Sequence, residues 1–199
     1  IHPLQLSLDV QNQMGEEDWL IFDGGNTHFW SEIAVNMAGW RGQQLGGIMH
    51  PGNYSLLGVG VSFGIAAKSL HPDRNIVVIS GDGAFLSGGL SIEAAFQENK
   101  PITIVIDNNG GLDCISQQQE RLFSSGRHFA TDFRDIPFHT MCEGMGGYGE
   151  LVEHREDIGP AVRRAMDSGK VAIVNVKCRG VISPIVAATS DKRDKASIE

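Results

Sequence analysis

The chain has only three cysteines, Cys114, Cys142 and Cys178, far apart and without any C-x-x-C pair. A zinc ribbon and a four-cysteine iron–sulfur cluster are therefore excluded within it, and free thiols in a reducing cytoplasm are the expectation. It has no apolar run near the roughly 20 residues that cross a bilayer, and no charged-then-apolar leader. Without such a leader, the sequon-like Asn53-Tyr54-Ser55 carries no weight. Basic residues are scarce, 16 against 24 acidic ones for a formal charge of −8. That balance makes a poor binder of nucleic-acid phosphates. Internal repeats are absent. What the 199 residues do have is 41% apolar composition, enough for one buried domain, and 25 glycines. Glycine at that density points to tight turns and close backbone approaches of the kind ligand-cradling loops need. The first residue, Ile1, is not methionine, so the chain is expected to be part of something longer.

Four short apolar runs, Trp19–Phe22, Ile76–Ile79, Ile102–Ile106 and Val171–Val176, read as strands buried on both faces. Helical patterns separate them: Leu4–Met14 after Pro3, Gly58–Leu70, Leu90–Gln97, and Asp157–Met166 with Gly169 as its stop. Gly126–Tyr148 is less regular, a short connecting helix plus loops. Strand–helix alternation predicts an α/β fold, an open, mostly parallel sheet with helices on both faces. The expected domain spans 1–180. Residues 181–199 form a C-terminal tail, a lid or a subunit contact, polar and charged from Ser190 onward.

In such a sheet, ligands sit beyond the carboxyl ends of strands. Two strands end in informative loops, Gly81-Asp82-Gly83-Ala84-Phe85 and Asp107-Asn108-Asn109-Gly110-Gly111. Twenty-four residues lie between Gly83 and Asn108, about one helix plus one strand. That interval returns the chain to the same sheet edge, so Asp82 and Asn109 can face one ligand. A carboxylate and an amide carbonyl are hard oxygen donors that suit Mg²⁺, and a glycine-flanked helix start offers N–H groups to phosphate. Each motif alone reads as an ordinary turn; the pair, each after a buried strand, does not. A ligand of this kind on a loop is expected to carry no packing load.

The pair of motifs resembles the signature of thiamine diphosphate enzymes, and the chain from Pro3 to about Pro184 resembles the pyrophosphate-binding (PP) domain of the acetolactate synthase superfamily. Together with Asp23-Gly24-Gly25-Asn26-Thr27, the motifs are most similar to the branch of 2-hydroxyacyl-CoA lyases, oxalyl-CoA decarboxylases and benzaldehyde lyases. The resemblance implies a thiamine diphosphate-binding fold of PP type. It makes Asp82, Asn109 and the Gly111 carbonyl Mg²⁺ ligands, and Gly81, Gly83 and Ala84 part of the diphosphate cradle, with N–H donors at Gly83 and Ala84. Asn26 and Thr27 match positions that touch the diphosphate. Leu57 would prop the cofactor rings and the Ser55 carbonyl would meet the cofactor's amino group, although Asn53–Gly58 departs from the family's glycine-rich loop.

The glutamate that activates the cofactor in this superfamily lies on a separate pyrimidine-binding (PYR) domain, and Glu16, Glu17 and Glu93 are unsuited to that role. No catalytic residue is therefore expected in this chain. The expected partners are a larger subunit carrying the PYR domain, in a hetero-oligomer, or the missing part of one long polypeptide. The substrate would be a small carbonyl compound or an acyl-CoA, and neither nucleic acid nor membrane. The implied activity is C–C bond cleavage or formation beside a carbonyl, as in a 2-hydroxyacyl-CoA lyase or carboligase. The alternatives are an acetolactate synthase-like or 2-oxo-acid decarboxylase subunit, and a non-catalytic cofactor-binding scaffold. Gly58-x-Gly60-x-x-x-Gly64 has the wrong spacing for a dinucleotide fingerprint and reads as helix packing, so a nicotinamide dehydrogenase is remote. The chain also lacks the cysteines of ferredoxin-linked relatives. His28 and His50 lie near the cofactor loops and read as supports more readily than as substrate contacts. Arg163 and Arg164 read as a solvated face. Arg179, Lys192, Arg193 and Lys195 could meet a CoA phosphate, although a merely polar C-terminus is the plainer reading.

Overall fold

The computed structural model describes residues 1–188. Six strands, β1 (Trp19–Phe22), β2 (Gly47–Met49), β3 (Ile76–Gly81), β4 (Thr103–Asn108), β5 (Tyr148–Val152) and β6 (Ala172–Lys177), form one sheet in the order β2-β1-β3-β4-β6-β5. Every pairing is parallel. Among the described residues, eight α-helices flank the sheet: α1 (Pro3–Gln11), α2 (Asn26–Trp40), α3 (Gly60–Leu70), α4 (Asp82–Gly88), α5 (Ile92–Gln97), α6 (Asp113–Phe123), α7 (Phe138–Gly144) and α8 (Ile158–Asp167). No helix among the described residues is long and apolar enough to cross a membrane.

The pleat sorts successive side chains to opposite faces. Val77 and Ile79 of β3, with Val105 of β4, join α1 and α8 in one core; Ile76 and Val78, with Ile104 and Ile106, join α3, α4, α5 and α7 in the other. Both faces being covered, β3 and β4 are buried at every residue, which is why they read as unbroken apolar runs.

The four expected strands are all present, β3, β4 and β6 shifted or extended by one or two residues. Four elements escaped the sequence reading. β2 is a three-residue edge strand, and β5, Tyr-Gly-Glu-Leu-Val, buries only Val152. Neither carries an apolar run. α6 buries no residue at all, and its middle, Ser116–Arg121, is wholly polar. α2 begins directly after Asp23-Gly24-Gly25, with Gly25 at φ 86° turning the chain from β1 into the helix. Residues 184–188 begin a further helical turn. The polar segment from Ser190, with Lys192, Arg193 and Lys195, lies outside the described residues.

The chain moves from β1 outward to β2, then crosses back to β3 on β1's other side. This reversal opens a crevice beyond the carboxyl ends of β1 and β3, the place where such sheets hold ligands. Ile104 sits fully buried on the central strand β4. Replacing it by alanine is expected to cost about 2–5 kcal/mol of stability, read as a lower midpoint in urea unfolding.

Candidate functional site

Asp23 closes β1 and is fully buried. Its Oδ1 accepts N–H bonds from Gly24 (2.9 Å), Gly58 (2.9 Å) and Val59 (3.1 Å), and its Oδ2 accepts the Ser80 hydroxyl at 2.9 Å. One carboxylate thus ties the end of β1 to the start of α3 and to β3. Gly24 allows the next approach: a Cβ there would lie 2.2 Å from the Ser55 carbonyl oxygen and 2.4 Å from that of Leu56. Ser55 itself is held at φ 48°, a left-handed conformation that costs a non-glycine residue about 1–3 kcal/mol. Its hydroxyl is fixed by the Gly25 N–H (2.8 Å) and by Nδ1 of His28 (3.1 Å).

Asp82 opens α4 and is buried. Its Oδ1 accepts the Gly83 N–H at 2.7 Å, and its Oδ2 accepts those of Gly110 (2.7 Å) and Gly111 (3.1 Å). The two motifs are therefore joined directly, by one side chain reaching from the β3 turn to the β4 turn. This corrects the expectation that Asp82 carries no structural load. Burial drives its pKa up to about 6, against the pull of the N–H donors of Gly83 and Gly110. The loop is also held from its other side. Gly111 bridges Asp132, and a Cβ on Gly111 would meet the Thr131 carbonyl oxygen at 2.5 Å.

A cavity of about 260 Å³ lies among these turns. Gly24, Gly25, Asn26, Thr27, Ser55, Leu57, Gly83, Ala84, Asn109 and Gly111 all border it; Gly81 and Asp82, which precede Gly83 in sequence, do not. The first turns of α2, α4 and α6 converge on it, so unpaired helix N–H groups and three helix dipoles favour an anion there. Asn109 Oδ1 is buried with no hydrogen-bond partner, a condition that costs about 1–3 kcal/mol. A hard divalent cation would relieve it and would compensate the buried Asp82 carboxylate; the donor set fits Mg²⁺.

Two of the expected site residues have their side chains engaged elsewhere. The Asn26 amide donates to the Val181 carbonyl at 2.6 Å and accepts the Ser183 N–H at 2.9 Å, so its side chain anchors the C-terminal segment. The Thr27 hydroxyl donates to Oδ2 of buried Asp107 at 2.9 Å. Both residues still border the cavity, at the start of α2. His28 and His50 do not border the cavity; His28 supports Ser55 from behind. Arg163 and Arg164 are exposed, bonded to the Gln13 carbonyl and to Glu150. The sequence reading missed the cavity wall from α6, namely Leu112, Asp113, Cys114 and Ile115, together with Phe29. Their position directly after Asn-Asn-Gly-Gly was the available signal.

Against known families, residues 23–176 match the model described as thiamine pyrophosphate enzyme, C-terminal TPP binding domain. The chain belongs to this family. Among curated relatives, a catabolic acetolactate synthase of Raoultella terrigena is 28% identical over 176 residues, covering 88% of this chain and 30% of that protein. A 2-hydroxyacyl-CoA lyase of Arabidopsis thaliana is 28% identical over 145 residues, 71% of this chain and 25% of that protein. A solved structure, a thiamine diphosphate-dependent 4-hydroxybenzoylformate decarboxylase of Rhodococcus jostii, superposes with a TM-score of 0.72 at 23% identity. It covers 92% of this chain and 33% of that one, and it shares the fold. This TPP-binding domain thus spans less than a third of the curated relatives named here.

Within the domain, Gly24→Ala is expected to push the 55–57 segment off the cavity and lower stability by about 1–3 kcal/mol, seen as a reduced melting temperature.

Proposed function

We propose that this chain is the diphosphate-holding half of a thiamine diphosphate- and Mg²⁺-dependent enzyme that cleaves or forms a C–C bond beside a carbonyl. The observation that carries the reading is the partnerless, buried Asn109 Oδ1 beside the Asp82-clamped loop. Asp82, Asn109 and the Gly111 carbonyl would hold the ion. Backbone N–H groups of Gly83 and Ala84, and of Asn26 and Thr27 at the start of α2, would receive the diphosphate. The Gly83 N–H must then exchange its bond to Asp82 for one to phosphate. Leu57 and the Ser55 carbonyl, on the segment packed against Gly24, would orient the cofactor's rings. The cofactor supplies a nucleophilic thiazolium carbon and an electron sink.

The activating glutamate would come from a PYR domain, on a larger subunit or on the rest of one polypeptide. The length of the relatives supports either arrangement. An SDS gel of the assembled enzyme separates them, two bands against one. Within the class we favour a 2-hydroxyacyl-CoA lyase or carboligase, on the strength of Asp23-Gly24-Gly25-Asn26-Thr27. The acetolactate synthase-like reading draws support from relatives that align over 88% of the chain. Assays of the assembly with 2-hydroxyacyl-CoA thioesters and with pyruvate distinguish them. Tight cofactor binding without deuterium exchange at the thiazolium carbon would instead mark a scaffold.

Because Asn109 Oδ1 makes no bond, Asn109→Ala is expected to leave the melting temperature nearly unchanged. It should weaken Mg²⁺-dependent thiamine diphosphate binding at least ~10-fold, measured by calorimetric titration of the assembly. Normal affinity in that variant would refute the metal assignment. Leu57→Ala should lower turnover more than cofactor affinity, a split that steady-state kinetics with varied cofactor resolves.

A further inference from the structure

The loop that brings Ser55 to the cavity also carries His50, and behind it stand two polar side chains that the cofactor reading leaves unused. His28 and Glu32 are four residues apart on α2 and so share one face of the helix. Nε2 of His28 lies 3.3 Å from Oε1 of Glu32 and 3.1 Å from Nδ1 of His50. The three ligand atoms all fall within 4.8 Å of one another. In a tetrahedral zinc site, bonds of about 2.0–2.1 Å put neighbouring ligand atoms about 3.3 Å apart. Two of the separations therefore already suit a shared ion.

The surroundings point the same way. Metal-bound histidines usually fix their second ring nitrogen with a hydrogen bond, and Nδ1 of His28 has Ser55 Oγ at 3.1 Å. Phe29 stacks on His28 at 5.2 Å between ring centroids, and Phe22 on His50 at 5.0 Å. His28 is buried and, chiefly through that burial, its pKa falls below the ordinary imidazole value, which favours the neutral, ligating form. His50 Nδ1 also accepts the Gly52 N–H at 3.2 Å, a bond that an ion on that nitrogen would replace.

We propose that His28, Glu32 and His50 form a second metal site, distinct from the Asp82–Asn109 pair, for a borderline divalent ion of the zinc type. Two imidazoles and one carboxylate suit Zn²⁺ or Co²⁺ over Mg²⁺, and three protein ligands leave a fourth position open. An ion held there joins α2 to the loop after β2. It thereby fixes the segment from which Ser55 and Leu57 reach the cavity.

The test uses protein stripped by a chelator and then saturated with Mg²⁺, so that Zn²⁺ does not simply report the Asp82–Asn109 pair. Titration with Zn²⁺ alone is expected to give one ion per chain with micromolar or tighter affinity, and Co²⁺ should develop a visible absorption band. Both Glu32 and His50 are partly or fully exposed, so Glu32→Gln and His50→Ala should fold normally. Each should weaken Zn²⁺ binding at least ~10-fold, while Asn109→Ala leaves it unchanged. Binding weaker than about 1 mM, binding indifferent to Glu32→Gln and His50→Ala, or binding lost in Asn109→Ala would overturn the proposal.

Discussion

The Asp82 carboxylate is the constraint on which the site rests. It is a buried anion, and burial alone would drive it to neutrality. Three backbone N–H groups, one from its own helix start and two from the loop after β4, oppose that tendency. Their geometry makes the carboxylate a clamp between two turns that lie apart in sequence. The clamp sets the loop beside Asn109, whose carbonyl oxygen is left without a partner. A buried anion that holds this loop, and an unsatisfied acceptor on the same loop, form an arrangement that a cation would complete.

Asp23 plays the corresponding part on the other side of the crevice, joining the ends of β1 and β3 to the start of α3. Between the two aspartates, glycines stand in the wall where backbone must approach backbone. Gly24 meets the Ser55 carbonyl and Gly111 the Thr131 carbonyl at distances no Cβ tolerates. Helix starts on this wall offer peptide N–H groups, which suit an anionic, diphosphate-like group.

Much of the site was legible because its motifs are local. Gly-Asp-Gly after one buried strand and Asn-Asn-Gly-Gly after the next mark two turns, and the interval between them brings both to one sheet edge. What could not be read were the side chains whose partners lie far off in sequence. Asn26 is bound to Val181 and Ser183, more than 150 residues away, and Thr27 is spoken for by Asp107. The α6 wall of the cavity was hidden for another reason, since the middle of that helix, Ser116–Arg121, is wholly polar and its few apolar residues stay unburied.

The sequence by itself determined the α/β class, the four central strands, and the residues Asp82 and Asn109, because apolar runs and glycine-flanked polar turns express local physics. Only the tertiary structure decided that one carboxylate spans both turns, that Asn109 keeps a free acceptor, and that His28, Glu32 and His50 converge. Those outcomes depend on strand order and on the packing of α2 against the sheet. No short window of sequence encodes either, because both arise from contacts between segments tens of residues apart.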